Sequence, residues 1–213
     1  MELERFFALL GLGLLAGTWG SLIGAGGGFI IVPLMLFIDR ALIPSAVTAI
    51  SLVAVFANGL SGATAYARLK RIDYKTGAIF LIATLPGGVA GALVVNYLAL
   101  DMFEIAFGIL LIIVALYVFI KPLRPNKTTV VPTGMSRQLT DIDGDKYEYS
   151  VSFVKGVPIV FVVGFLAGML GVGGGIFNVP AFVILLGIPI KIATATSQFI
   201  LSGTSLAADI TNL

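Results

Sequence analysis

The sequence predicts an all-α polytopic membrane protein made of two homologous halves, and three observations lead there. The chain is 58% hydrophobic and only 11% charged, with a mean hydropathy of +1.07, whereas soluble domains carry about 25% charged residues. Apolar stretches of membrane-crossing length recur along it, each approaching the ~20 residues that a spanning helix needs. A glycine motif interrupts these stretches twice. Gly24-Ala-Gly-Gly-Gly-Phe-Ile-Ile-Val-Pro33 returns as Gly171-Val-Gly-Gly-Gly-Ile-Phe-Asn-Val-Pro180, with six of ten positions identical. Matching Gly/Pro breaks in two hydrophobic halves point to a transport site between broken helices.

The apolar segments fall at 6–23, 29–38, 44–65, 77–98, 102–120, 152–170, 176–186 and 189–208. A cleaved leader is the rival reading of the first. Met1-Glu-Leu-Glu-Arg5 is not a positive leading region, and the apolar run outlasts a usual leader, so 6–23 is read as membrane structure. Segments 29–38 and 176–186 are short and follow the glycine motifs, so each is expected to be a half-helix buried in protein. The likeness of the halves continues downstream. Ile43-Pro44 matches Ile188-Pro189, and Thr48-Ala-Ile-Ser51 matches Thr194-Ala-Thr-Ser197, as an internal repeat requires. The first repeat is assigned to 1–122 and the second to 152–213. By the same alignment the second half lacks roughly 55 residues and two helices of the first, so the chain reads as truncated.

Arg68, Lys70, Arg71 and Lys75 lie in one loop; Lys121, Arg124, Lys127, Arg137, Lys146 and Lys155 lie in or beside another. Positive loops stay cytoplasmic, which places both loops inside. An odd number of crossings in the first half inverts the second; an even number makes the repeats parallel. A cytoplasmic Lys191 fits the inverted arrangement. The central polar loop, 123–151, alternates on either side of Asp143-Gly144 and predicts a β-hairpin with an Asp-Gly turn. Asp141, Asp143 and Asp145 resemble a calcium loop only loosely. The glycine precedes the third acid and no Glu occupies the twelfth position, so the turn reads as solvated.

Composition also excludes functions. Cysteine and histidine are both absent, which removes disulfides, thiolate and imidazole metal sites, and the commonest general base. No metal, cofactor or enzymatic activity is expected. No basic stripe suggests nucleic acid. The glycines do not complete a dinucleotide or phosphate-loop motif, because Phe29 and Ile176 stand where a third glycine belongs and no Lys-Ser/Thr follows.

What remains is an anion site without embedded cations. Gly26, Gly27 and Gly28 precede one short helix, and Gly173, Gly174 and Gly175 precede the other. Helix N-termini present N–H groups and partial positive charge, and glycine admits an anion close to the backbone. Close helix packing is the alternative use of the same glycines. Thr48, Ser51 and Asn58 lie near one helical face, with Thr194, Ser197 and Gln198 on its counterpart. These residues either line a path or join helices. Asn178 interrupts an apolar run two residues before Pro180 and is ranked with the lining. Asp209 is a rare embedded carboxylate near a segment end, and no proton relay is evident. An outward-moving anion gains about 2.3 kcal/mol per 100 mV, so export driven by membrane potential needs no coupling ion.

At the doubled Gly-x-Gly-Gly-Gly-x-x-x-x-Pro motif, with Thr-Ala-x-Ser downstream of each copy, the chain resembles the sulfite exporter TauE/SafE family of membrane permeases. The resemblance spans nearly all of the chain outside the polar loop. It implies transport of sulfur-containing anions such as sulfite, sulfonates or thiosulfate, or of related organic acids, across a prokaryotic cytoplasmic or an organelle membrane. The partners so implied are a small anion and the lipid bilayer, with homo-oligomerisation left open. The rival functions are an anion channel using the same site and a non-transporting membrane scaffold docking through the central hairpin.

Overall fold

A computed structural model describes residues 2–38, 42–120 and 134–212. Helix α1 (Glu2–Ile23) ends at Gly24, where φ of +79° leaves the helical region. After the break, α2 (Gly28–Ile38) carries Pro33 inside it, and α3 (Pro44–Arg68) starts on a proline whose fixed φ suits a first helical position. Asp73 caps α4 (Tyr74–Val95) by accepting from the Thr76 amide at 3.2 Å, so α4 starts three residues before its apolar run. Then come α5 (Leu100–Ile120), strands β1 (Met135–Thr140) and β2 (Lys146–Val151), and α6 (Phe153–Leu170). A second break leads into α7 (Gly175–Pro180), a π turn over Ala181–Leu185, and α8 (Ile190–Asn212). Among the described residues four helices, α3, α4, α5 and α6, are long and apolar enough to cross a membrane.

The two expected half-helices are present and differ in form. Helix α2 runs through Pro33 to Ile38. Its counterpart changes to π geometry directly after Pro180, with the Leu186 amide reaching back to the Ala181 carbonyl at 3.2 Å. Proline has no N–H for the helical ladder, and a π turn is one way for the chain to continue.

Glycines set the helix spacing. Along α4, Gly87 and Gly91 lie against the Phe161 and Phe165 carbonyls of α6, and on α6 Gly164 and Gly168 lie against the Thr84 and Gly88 carbonyls of α4. Small residues at this spacing let two membrane helices approach backbone to backbone. Helices α3 and α8 run antiparallel: Gly59 packs on Ser202, while Gly62, one turn further along α3, packs on Gln198, one turn back along α8. One core cluster gathers Val32, Leu36, Val47, Phe103, Phe107 and Leu170 from α2, α3, α5 and α6. Helix α5 presents Ile105, Ile109, Ile112, Leu116 and Phe119 outward, as a lipid-facing helix would.

The hairpin forms as expected, with two corrections. Its strands pair antiparallel from Met135↔Val151 to Thr140↔Lys146, and the loop closes through Asp141 N to Asp145 O at 3.1 Å. That leaves Ile142, Asp143 and Gly144 at the tip. The Gly144 amide donates to the Asp141 carbonyl at 3.2 Å, with Gly144 φ at +86°. This is a three-residue loop with its glycine in the left-handed position, not a two-residue Asp-Gly turn. Nor is the turn merely solvated. Tyr149 and Val151 belong to the buried cluster with Phe80, Val160, Phe182 and Ile188, and the Ile142 amide donates to the Leu69 carbonyl at 3.1 Å. The hairpin is thus part of the bundle, at the end where the α3–α4 turn and the start of α8 also lie. Residues 121–133 of the polar loop lie outside the described residues.

The glycine crossing of α4 and α6 predicts a position-specific cost. Gly168→Ala puts a methyl group onto the Gly88 carbonyl and is expected to lower stability by about 1–3 kcal/mol, read as a drop in Tm in detergent. Gly108→Ala on α5, with nothing within 4 Å, is expected to leave Tm unchanged or slightly raised.

Candidate functional site

The two breaks cross in direct contact. A methyl group at Gly28 would lie 2.6 Å from the Gly171 carbonyl oxygen, and one at Gly175 would overlap the Gly24 carbonyl. Gly26 and Gly173 each face Val55 of α3 and Leu201 of α8. Gly27 fits against the Ala16 carbonyl, at 2.6 Å from such a methyl, and Gly174 against Ala167. Left-handed φ values repeat in the same order, +79°, +77° and +83° at Gly24, Gly26 and Gly27, then +70°, +74° and +80° at Gly171, Gly173 and Gly174. In this conformation the predicted glycine site is therefore close-packed, and the glycines permit the crossing.

Each half holds the break of the other. The Ser51 hydroxyl of α3 donates to the Gly171 carbonyl at 2.6 Å, and the Ser197 hydroxyl of α8 donates to the Gly24 carbonyl at 3.0 Å. Thr48 packs on Gly171, and Thr194 packs on Gly24. A chain that leaves its helix in a buried setting exposes carbonyls that must find donors, and the two serines supply them.

The remaining predicted residues divide between bracing and lining. Asn58 donates to the Gly17 carbonyl at 2.6 Å and accepts from Ser21, so it braces α1 and does not reach the crossing. Gln198 donates to the Gly20 and Ser21 carbonyls at 3.3 and 3.4 Å. Three buried oxygens near the breaks lack a partner: Thr48 Oγ1, Asn178 Oδ1 and Gln198 Oε1. An unsatisfied buried polar atom costs about 1–3 kcal/mol; Thr48 lies against Gly171 and Asn178 beside Gly174, whereas Gln198 Oε1 lies against Gly62, away from Thr48 along α3. Asp209, near the end of α8, likewise keeps Oδ1 buried and unpartnered.

A cavity of about 400 Å³ opens from the hairpin end towards the first break. Leu22 and Ile23 at the end of α1 form its floor beside Gly24; Tyr66 and Thr194 line its wall, and Arg71 and Lys191 its mouth. Thr194 thus touches both the break and the cavity. Sequence reasoning counted Arg71 among the loop cations and used Lys191 only for orientation, and Tyr66 was not singled out. The available signal was proximity to the repeat: Lys191 stands three residues before Thr194.

Electrostatics at this end centre on Asp73. It accepts from Arg137 Nε at 2.9 Å and from Arg137 Nη2, from Tyr149 Oη at 2.8 Å, and from Thr76 Oγ1 at 2.5 Å. Its own amide donates to Thr196 Oγ1 at 3.1 Å. Burial would raise the Asp73 carboxyl, but the donors from Arg137, Thr76 and Tyr149 outweigh it and hold the group down at about 2. Burial, with the Asp73 charge beside it, pushes the Tyr149 hydroxyl well above its usual range. Asp141 is also held low: burial opposes ionisation, but the Asp145 and Asp143 amides and Arg71 outweigh it.

A family model described as sulfite exporter TauE/SafE matches residues 9–212. Among similar proteins, a probable membrane transporter protein of Bacillus subtilis, YunE, is 38% identical over 98% of this chain and 78% of its own length. The probable membrane transporter protein MJ0441 of Methanocaldococcus jannaschii is 30% identical over 96% of this chain and 71% of its own. ORF9 of a Sinorhizobium species, with the same description, is 30% identical over 91% and 67%. No solved structure matches.

Two outcomes follow from this geometry. Ser51→Ala and Ser197→Ala are each expected to cost about 1 kcal/mol or more, because each strands a buried carbonyl; thermal unfolding of both single variants and the pair reads this. The Asp73 carboxyl is lower in the folded protein than its ordinary 3.8. Its contribution, roughly 2 kcal/mol at about 1.4 kcal/mol per pH unit, is therefore present above pH ~4 and lost as pH falls towards ~2. The Tm gap between the wild type and Asp73→Asn should close over that window.

Proposed function

The chain belongs to the sulfite exporter TauE/SafE family, and we propose that it is a carrier moving a small oxyanion, sulfur-based as in sulfite or an organosulfonate, through the crossing of its two glycine breaks. As a multi-pass membrane protein of a transporter family, it is placed in the prokaryotic cell membrane and needs no cofactor for this task. The observation that carries the reading is the direct crossing of the two breaks, where two helix starts meet backbone to backbone beside the unpartnered Thr48 hydroxyl. Thr48 brings a hydroxyl donor, and backbone N–H groups at the starts of α2 and α7 add dipolar attraction.

The halves exchange equivalent contacts, Ser51 to Gly171 and Ser197 to Gly24. That exchange, with α3 and α8 antiparallel, supports an inverted pseudo-two-fold repeat in which rocking one half against the other opens the crossing to alternate sides. The close packing of the crossing supports a carrier over an open channel. With no embedded cation at the crossing among the described residues, the anion moves as net charge, and the membrane potential drives it outward.

Reconstituted protein is expected to show saturable sulfite counterflow whose rate rises with an imposed potential, negative on the substrate side. Thr48→Val and Asn178→Leu remove an unpartnered polar atom from an already packed site. Each is expected to keep or raise Tm while cutting flux at least tenfold. Unchanged flux in both variants would remove these residues from the path, and flux indifferent to the potential would sink the electrogenic mechanism.

A further inference from the structure

The tip of the hairpin pairs with two cations that line the cavity. Arg71 Nη2 is 2.9 Å from Asp143 Oδ2 and 3.1 Å from Asp141 Oδ2, and Lys191 Nζ is 3.3 Å from Asp145 Oδ2. Arg71 and Lys191 are the same two cations that line the opening, above Tyr66 and Thr194. We propose that this mouth is an entry site for an oxyanion, and that the carboxylates of Asp143 and Asp145 occupy it in the resting protein as a tethered substitute that the arriving anion displaces.

The hairpin is attached in two tiers of different strength. Its base is fixed: Asp73 is buried with Arg137, Tyr149 and Thr76 upon it, and Val151 is fully buried. Asp141 is also fixed, its Oδ1 accepting from the Asp143 and Asp145 amides at 3.0 Å each. The tip is held by exchangeable pairs and by the bond from the Ile142 amide to the Leu69 carbonyl. The side chains of Asp143 and Asp145 are 65% and 58% exposed, and that of Lys191 is 49% exposed. Exposed ion pairs contribute little to stability, so giving them up costs little. Arg71, whose Nε stays on Asp141 at 3.1 Å, offers the Nη2 edge that Asp143 now takes, and Lys191 a mobile point charge. A sulfite, sulfonate or similar oxyanion presents the same paired oxygens as the carboxylate it would replace. The inference rests on the anion-carrier reading for what happens next, but binding at the mouth stands or falls separately.

Two measurements on the full chain in detergent test it. The first follows hydrogen exchange of the Ile142 amide, which bonds the tip to the Leu69 carbonyl, with sulfite or methanesulfonate, against chloride at equal ionic strength. At least fivefold faster exchange at the tip, with the strand amides of β2 unchanged, is expected. The second titrates sulfite calorimetrically. Asp143→Asn is expected to lower the apparent Kd at least threefold, while Glu148→Gln, which removes the same charge from the same hairpin beside Gln138, leaves it unchanged. An unresponsive tip overturns the site even if flux is present. Equal tightening by both variants overturns it as well, because a general field would then be the cause. Tip release without flux upholds the site and overturns the carrier reading instead.

Discussion

A peptide chain that breaks its helix inside a bilayer has no water to satisfy the groups it uncovers, and this constraint organises the molecule. Gly24 and Gly171 each turn a carbonyl away from its own helix, and each carbonyl is met by a serine from the opposite half. Neither break is satisfied by its own half alone. The crossing therefore joins the two halves, and the antiparallel packing of α3 on α8 carries the serines to the right depth.

The glycines serve both the packing and the proposed transport. They let the breaks touch, backbone against backbone, with left-handed dihedrals that side-chain-bearing residues disfavour. They also bring backbone groups and the hydroxyl-bearing Thr48 and Thr194 to the crossing, beside the apolar Val55, Val179 and Leu201. The proposed site would attract an anion weakly, through dipoles, as a carrier that must also release its substrate requires. The stronger attraction of full charges is confined to Arg71 and Lys191 at the mouth, outside the crossing.

The hairpin adds an acidic counterpart to those cations. Its base is built into the core through Tyr149 and Val151, and its tip is held by ion pairs with exposed carboxylates and by one backbone bond from Ile142 to Leu69. One element thus combines a rigid anchor with a readily released end, a division set by burial: the same Asp–Arg chemistry is stronger at buried Asp73 than at exposed Asp143.

Much of this was legible in the sequence by itself. The hydropathy profile and the doubled motif determined the helix content, the two short segments after the breaks and the family. The Asp143-Gly144 neighbourhood determined that a hairpin would form. These are local properties, carried by periodicity, backbone freedom and composition, and they survive without knowledge of neighbours. Tertiary structure alone decided the roles of the polar residues. Ser51, Ser197 and Asn58 share a composition class with Thr48 and Asn178, yet the first three are bonded to carbonyls and the last two each keep an unpartnered oxygen. The same holds for Arg71, Lys191 and Asp73, which read as loop charges until folding places 71 beside 143, 191 beside 145 and 73 beside 137. Partners so distant along the chain are chosen by packing, because hydrogen bonds and ion pairs depend on ångström distances that no local pattern encodes.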